Sequence, residues 1–183
     1  AKVKNITLVT FRAAPVTIID LLNPQTMKDY TGVELIDYRG LTRFGKECLF
    51  QDEGIFTTWI EPDSRFYVKL MSGTPENELA KTTRSFMLGD VDNIQAKIRR
   101  EIEGSGYLAS DWPFLLRVPF EKARSMIFLN GKRLELENKH AMADERTNAY
   151  HQKSLELFDL SSREELSDHD KKLAARESAT YSI

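Results

Sequence analysis

A chain of 183 residues that is 41% hydrophobic and 30% charged, with 26 Lys+Arg against 28 Asp+Glu, has the makeup of a folded globular protein and excludes collagen-like or charge-driven disordered classes. Its net charge of -2 supplies no global electrostatic footprint for nucleic acid. No apolar run approaches the roughly 18 residues of a membrane helix, and the single cysteine, Cys48, excludes an internal disulfide.

Membrane insertion is therefore not expected. The opening Ala1-Lys2-Val3-Lys4 lacks the apolar core of a signal peptide, which together with the lone cysteine points to a cytoplasmic or other intracellular origin. Domains commonly run to roughly 100–200 residues, so one domain with an extension is the expected organisation.

Val3, Ile6, Leu8 and Phe11 read as a first strand, Ala13-Ala14-Pro15 as a turn, and Val16, Ile18, Ile19, Leu21 and Leu22 as a second strand. Asn23-Pro24 marks a loop, because the residue before proline is pushed out of the helical region. Gly32 to Asp37 is a short strand that Asp37-Tyr38-Arg39-Gly40 closes as a turn. Asp52-Glu53-Gly54 then separates Cys48-Leu49-Phe50 from Ile55 to Ile60, which suggests two strands and a tight acidic turn. After Glu61-Pro62-Asp63-Ser64, the residues Phe66, Val68 and Leu70 alternate with Tyr67, Lys69 and Met71 up to Gly73. Short strands at about 8–12-residue spacing predict a sandwich or barrel, with Phe56 or Trp59 in its core and Trp59, Phe56, Phe66 and Tyr67 as packing residues.

Over residues 16–72 this order resembles the transthyretin-like, carboxypeptidase-regulatory-like β-sandwich family. The likeness rests on the strand Val16 to Asp20, the small-residue entry Thr31-Gly32-Val33, the turn Asp52-Glu53-Gly54 before an aromatic strand, and the proline loop leading into Tyr67 to Leu70. Members commonly serve as accessory, binding or assembly modules, so the resemblance implies a role and no reaction.

Beyond Gly73, Thr74 to Glu78 is a polar connector and Asp90 reads as the N-cap of a helix whose Val91, Ile94, Ile98 and Ile102 share one stripe, ended by Gly104-Ser105-Gly106. Asp111-Trp112-Pro113 is a turn before Phe114 to Val118. Residues 120–137 fit two structures. Asn130-Gly131 suits a hairpin turn, whereas Phe120, Ala123, Ile127 and Leu134 fit one helical face; the helix is preferred. Residues 137–153 form helix with little large apolar surface, Met142 and Tyr150 only, followed by an apolar patch at Leu155, Leu157, Phe158 and Leu160. Ser161 with Glu164 and Ser162 with Glu165 match the capping box and predict a last helix over about 163–178.

Candidate chemistry is sparse. Glu137 and His140 have a spacing used in di-iron bundles, which need a second copy that is missing here. Asp168-His169-Asp170 are neighbours that point in different directions on a helix. Cys48, inside an apolar strand, behaves as a small hydrophobe, and Gly104-Ser105-Gly106 lacks the Gly-Lys-Ser/Thr of a phosphate loop. No cofactor is expected.

The expected fold is α+β: an N-terminal antiparallel β-sandwich at 1–73 and a mostly helical extension at 74–183 that mediates assembly. The expected function is a non-enzymatic structural or interaction module, binding protein partners or its own copies through Met142, Tyr150, Leu155 and Phe158. Two alternatives remain open, an enzyme using the loop acids Asp52, Glu53, Glu61 and Asp63, and a nucleic-acid-associated subunit binding through Lys81, Arg84, Lys97, Arg99 and Arg100. Nucleic acid is not the expected partner, because Glu101 and Glu103 neutralise that cluster.

Overall fold

Alternating and β-branched runs become strands here, and charged, alanine-bearing runs become helices. The computed structural model describes residues 12–44, 50–52, 54–72, 84–91, 106–110, 116–140, 142 and 144–182. Among these, the strands are β1 (Ala14–Ile19), β2 (Leu22–Asn23), β3 (Lys28–Asp29), β4 (Gly32–Asp37), β5 (Phe50–Asp52), β6 (Ile55–Ile60), β7 (Arg65–Ser72), β8 (Arg84–Leu88), β9 (Tyr107–Leu108) and β10 (Leu116–Arg117). The helices α1 (Val118–Lys139), α2 (Glu145–Ser161) and α3 (Asp168–Tyr181) complete the chain at its C-terminal end, so the fold is α+β.

Two sheets enclose one core. The first has the order β10-β1-β6-β5; the second runs β4-β7-β8, with β9 sharing the β8 edge of β7. Inward positions alternate as a pleated strand requires: Val16, Ile18, Phe56 and Ile60 from the first sheet meet Val33, Leu35, Phe66, Val68, Leu70, Leu88 and Tyr107 from the second in one continuous cluster. The turns have local causes. Asp37 Oδ2 accepts from the amides of Arg39 at 3.1 Å and Gly40 at 2.7 Å. Gly54, at φ 71°, takes the left-handed corner of the β5–β6 hairpin.

Several expectations are corrected. The turn placed at Ala13-Ala14-Pro15 is strand: Pro15 lies opposite Trp59, and β10 reaches only Ile18 and Ile19, so the missing proline N–H leaves no ladder bond unmade on that edge. The β-structure continues past Gly73, because β8, β9 and β10 complete both sheets, and β10 joins β1 in parallel, not antiparallel. The long polar helix expected at 137–153 is broken after Lys139, where His140 caps α1, and restarts at Asp144, whose side chain accepts from the Arg146 amide. Neither capping box opens the last helix. Ser161 closes α2 by donating to the Phe158 carbonyl, and α3 starts at Ser167, whose hydroxyl accepts from the Asp170 amide at 3.2 Å. Ser167 wins because Asp170 supplies the acidic third position in a shorter form. The preferred helix over 120–137 is observed as part of α1, with Asn130-Gly131 inside it. The helical stripe at 91–102, Cys48, Glu53 and the basic residues Lys81, Lys97, Arg99 and Arg100 lie outside the described residues.

Helix α1 joins the two halves. Val118, Pro119, Glu121, Lys122, Ala123 and Ser125 are buried in its first half, where it packs on the strands, while its later part packs on α2 and α3. The α2–α3 contact is built from small residues, Ser154 and Ser161 against Ala175, Ser178 and Ala179, with Leu157 as its main apolar filler. Ser154 Oγ bonds Ser178 Oγ at 3.1 Å and also Ser182 Oγ. Two ion pairs tie α3 to the first sheet: Lys172 to Asp20 at 2.9 Å and Arg117 to Asp168 at 2.7 Å.

Candidate interaction surfaces

The histidines stand apart. His140 ends α1 exposed, His151 is half-buried on α2 beside Gly131, and His169 is exposed in the first turn of α3. Their neighbouring carboxylates have other partners. Glu137 accepts from Arg133 Nε at 2.8 Å, Asp168 pairs with Arg117, and Asp170 accepts from Ser167. Among the described residues, no group of three His, Cys, Asp or Glu side chains could hold a metal ion. Glu61 and Asp63 sit exposed on the β6–β7 turn, which the Ser64 amide closes on the Glu61 carbonyl at 3.0 Å.

Buried charge is concentrated under α1 and was missed by sequence reasoning. Lys122 Nζ donates to Tyr30 Oη at 2.9 Å and to Asn23 Oδ1 at 3.3 Å, and it lies 5.5 Å from the ring centroids of both Tyr30 and Phe86. Burial lowers the lysine to about 8. One residue earlier, Glu121 accepts from Tyr107 Oη at 2.7 Å and from Arg124, and burial raises the carboxyl above its usual range. Tyr107 is pushed up as well, first by burial and then by the Glu121 charge. These groups hold α1 to the strands through hydrogen bonds that satisfy each buried polar atom named. Helical periodicity hides them from the sequence, since Glu121-Lys122 reads as an ordinary solvated pair.

The expected partner residues do not converge on one patch. Met142 is 65% exposed in the α1–α2 connector, its amide bonded to the Glu137 carbonyl at 2.8 Å. Tyr150 is exposed but occupied, its ring 6.1 Å from that of Tyr181 and its hydroxyl accepting from Arg146 Nε at 3.0 Å. On a helix of 3.6 residues per turn, Tyr150 and Phe158 flank the buried Ser154–Leu157–Ser161 stripe, whereas Leu155 lies about 100° away from Ser154. Phe158 is accordingly half-buried and Leu155 exposed.

A second apolar surface lies on the outer face of the first sheet. Register pairs Pro15 with Trp59, Thr17 with Thr57 and Ile19 with Ile55, all on the side away from the core. Trp59 and Ile55 are each 41% exposed, while Phe56 between them is buried. Thr17 and Thr57 share a hydroxyl hydrogen bond of 3.2 Å at the centre. Trp59 was expected in the core; alternation alone does not say which side of an all-apolar strand turns inward. Among the described residues, no helix is long and apolar enough to cross a membrane. No protein-family model, curated protein or solved structure matches this chain.

Proposed function

We propose that this chain is a non-enzymatic interaction module, a subunit of a larger protein assembly that it joins through its helical part. One observation carries the reading: the corner where α1 gives way to α2 presents Leu136, 60% exposed, and Met142, 65% exposed, on backbone joined by the Met142–Glu137 hydrogen bond. Large apolar side chains at a rigid corner lose little entropy on docking, which favours their use as anchors. The likeness of residues 16–72 to transthyretin-like accessory modules supports the same kind of role.

The test is recovery of the tagged chain from its native cells at native abundance, with Leu136→Glu/Met142→Glu as the comparison. A stoichiometric protein partner or higher oligomer is expected with the unaltered chain and its loss with the double variant, at unchanged circular dichroism. Recovery of the chain alone, or a partner retained by the variant, refutes the reading.

A further inference from the structure

We propose that the outer face of the β1–β6 ladder is a self-association surface whose occupant is the same face of a second copy, packed sheet against sheet. This surface is separate from the α1–α2 corner and does not depend on it. Three rungs define it: Pro15–Trp59, Thr17–Thr57 and Ile19–Ile55. None of the six side chains is charged, so apposing two copies brings no like charges together, and a net charge of only -2 leaves little long-range repulsion. At one edge, Arg117 is in register with Ile19 and is paired with Asp168, giving a polar margin whose charge is already matched.

The rungs are also graded in size. A two-fold axis lying in the interface and crossing the strands at the threonine rung would set Trp59 and Pro15 of one copy over Ile19 and Ile55 of the other. The large end of the stripe then meets the smaller end twice, as an isologous contact requires. Facing sheets pack about 10 Å apart with strands inclined by about 30°, a separation that a tryptophan opposite an isoleucine can fill.

Area sets the strength. Two strands about 4.8 Å apart and six residues long cover on the order of 200 Å² a side, far below the roughly 800 Å² per partner of stable complexes. The contact is therefore a weak one, with a Kd on the order of 0.1–1 mM. It becomes effective when copies are held close together, where effective concentrations reach the millimolar range.

Sedimentation equilibrium of the full chain from about 10 μM to about 1 mM, alongside NMR dilution shifts, tests this. The expected result is a concentration-dependent dimer, insensitive to salt, with shifts at the Trp59 indole and the Thr17 and Thr57 amides. Trp59→Lys should weaken it at least about tenfold. Thr57→Arg, at the centre of the face and half-buried, serves as a second variant if the first fails to fold. A chain monomeric at about 1 mM overturns the proposal, as does a dimer that survives both substitutions. So does an indole signal that moves on adding oligosaccharide but not on raising protein concentration, which would assign the face to a sugar ring.

Discussion

Lys122 enters the interior in the first turns of α1 with a phenol oxygen, an amide oxygen and two aromatic faces around it. Its folded-state value of about 8 lies below the roughly 10.4 of a solvated lysine. Between these two values the unfolded chain holds the proton more tightly than the folded one, so stability rises with pH across that window and is lowest below it. Tyr30 and Tyr107 act in the opposite direction, both raised by burial; their contribution is lost as pH climbs beyond the ordinary tyrosine range of about 10. The clean interval is therefore about pH 8 to 9.5, above the lysine's folded value and below the tyrosines' ordinary one. Urea unfolding there should show the native chain gaining stability with pH and Lys122→Met gaining less. Parallel slopes for the two proteins would remove Lys122 as the source.

Within α1, Gly131 occupies a helical position where glycine is weaker than alanine by about 0.8–1.0 kcal/mol. A Cβ built there would meet His151 Cε1 at 3.8 Å and Nε2 at 3.9 Å, ordinary contact distances. Gly131→Ala should therefore stabilise the protein by about 0.5–1 kcal/mol, read as a rise in the urea midpoint at constant slope; a fall would mean that α1 and α2 pack more tightly than these distances imply. The same glycine marks where sequence reading reaches its limit. Asn130-Gly131 carries a strong local turn signal, yet tertiary burial of Asn130 and Leu134 keeps the helix continuous. Strands β4, β6 and β7 were legible because their alternation is six to eight residues long and bounded by Asp, Gly and Pro. Strands β9 and β10, two residues each, carry no period at all, and only their long-range partners define them. The candidate surfaces were half legible: the sparse apolar character of the helices was visible, but the outward Trp59 was not, because β6 places large apolar groups on both of its faces.

Across the whole molecule, α1 is the element shared by two differently built bodies. One is an apolar core between sheets; the other is a helical packing of serines and alanines with few large side chains. Removing residues 144–183 would strip the ion pairs to Asp20 and Arg117 and uncover the later part of α1, but it would leave the sheet-to-sheet cluster intact. Hydrogen exchange on that truncated chain should show amides of residues 130–139 exchanging as in an unfolded segment while β4, β6 and β7 keep their protection. Simultaneous loss of protection in the strands would mean that the helices and sheets form one cooperative unit.

The parallel pairing of β1 with β10 sets a schedule for synthesis. Ile18 waits for Leu116, and at translation speeds of about 5–20 residues per second several seconds pass between the two. For that interval one edge of β1 has unmade backbone hydrogen bonds on a growing chain, the kind of edge at which strands of neighbouring chains join. Ribosomes crowded on one message would bring such edges together, so the vulnerable moment for this protein falls before its helices have been made.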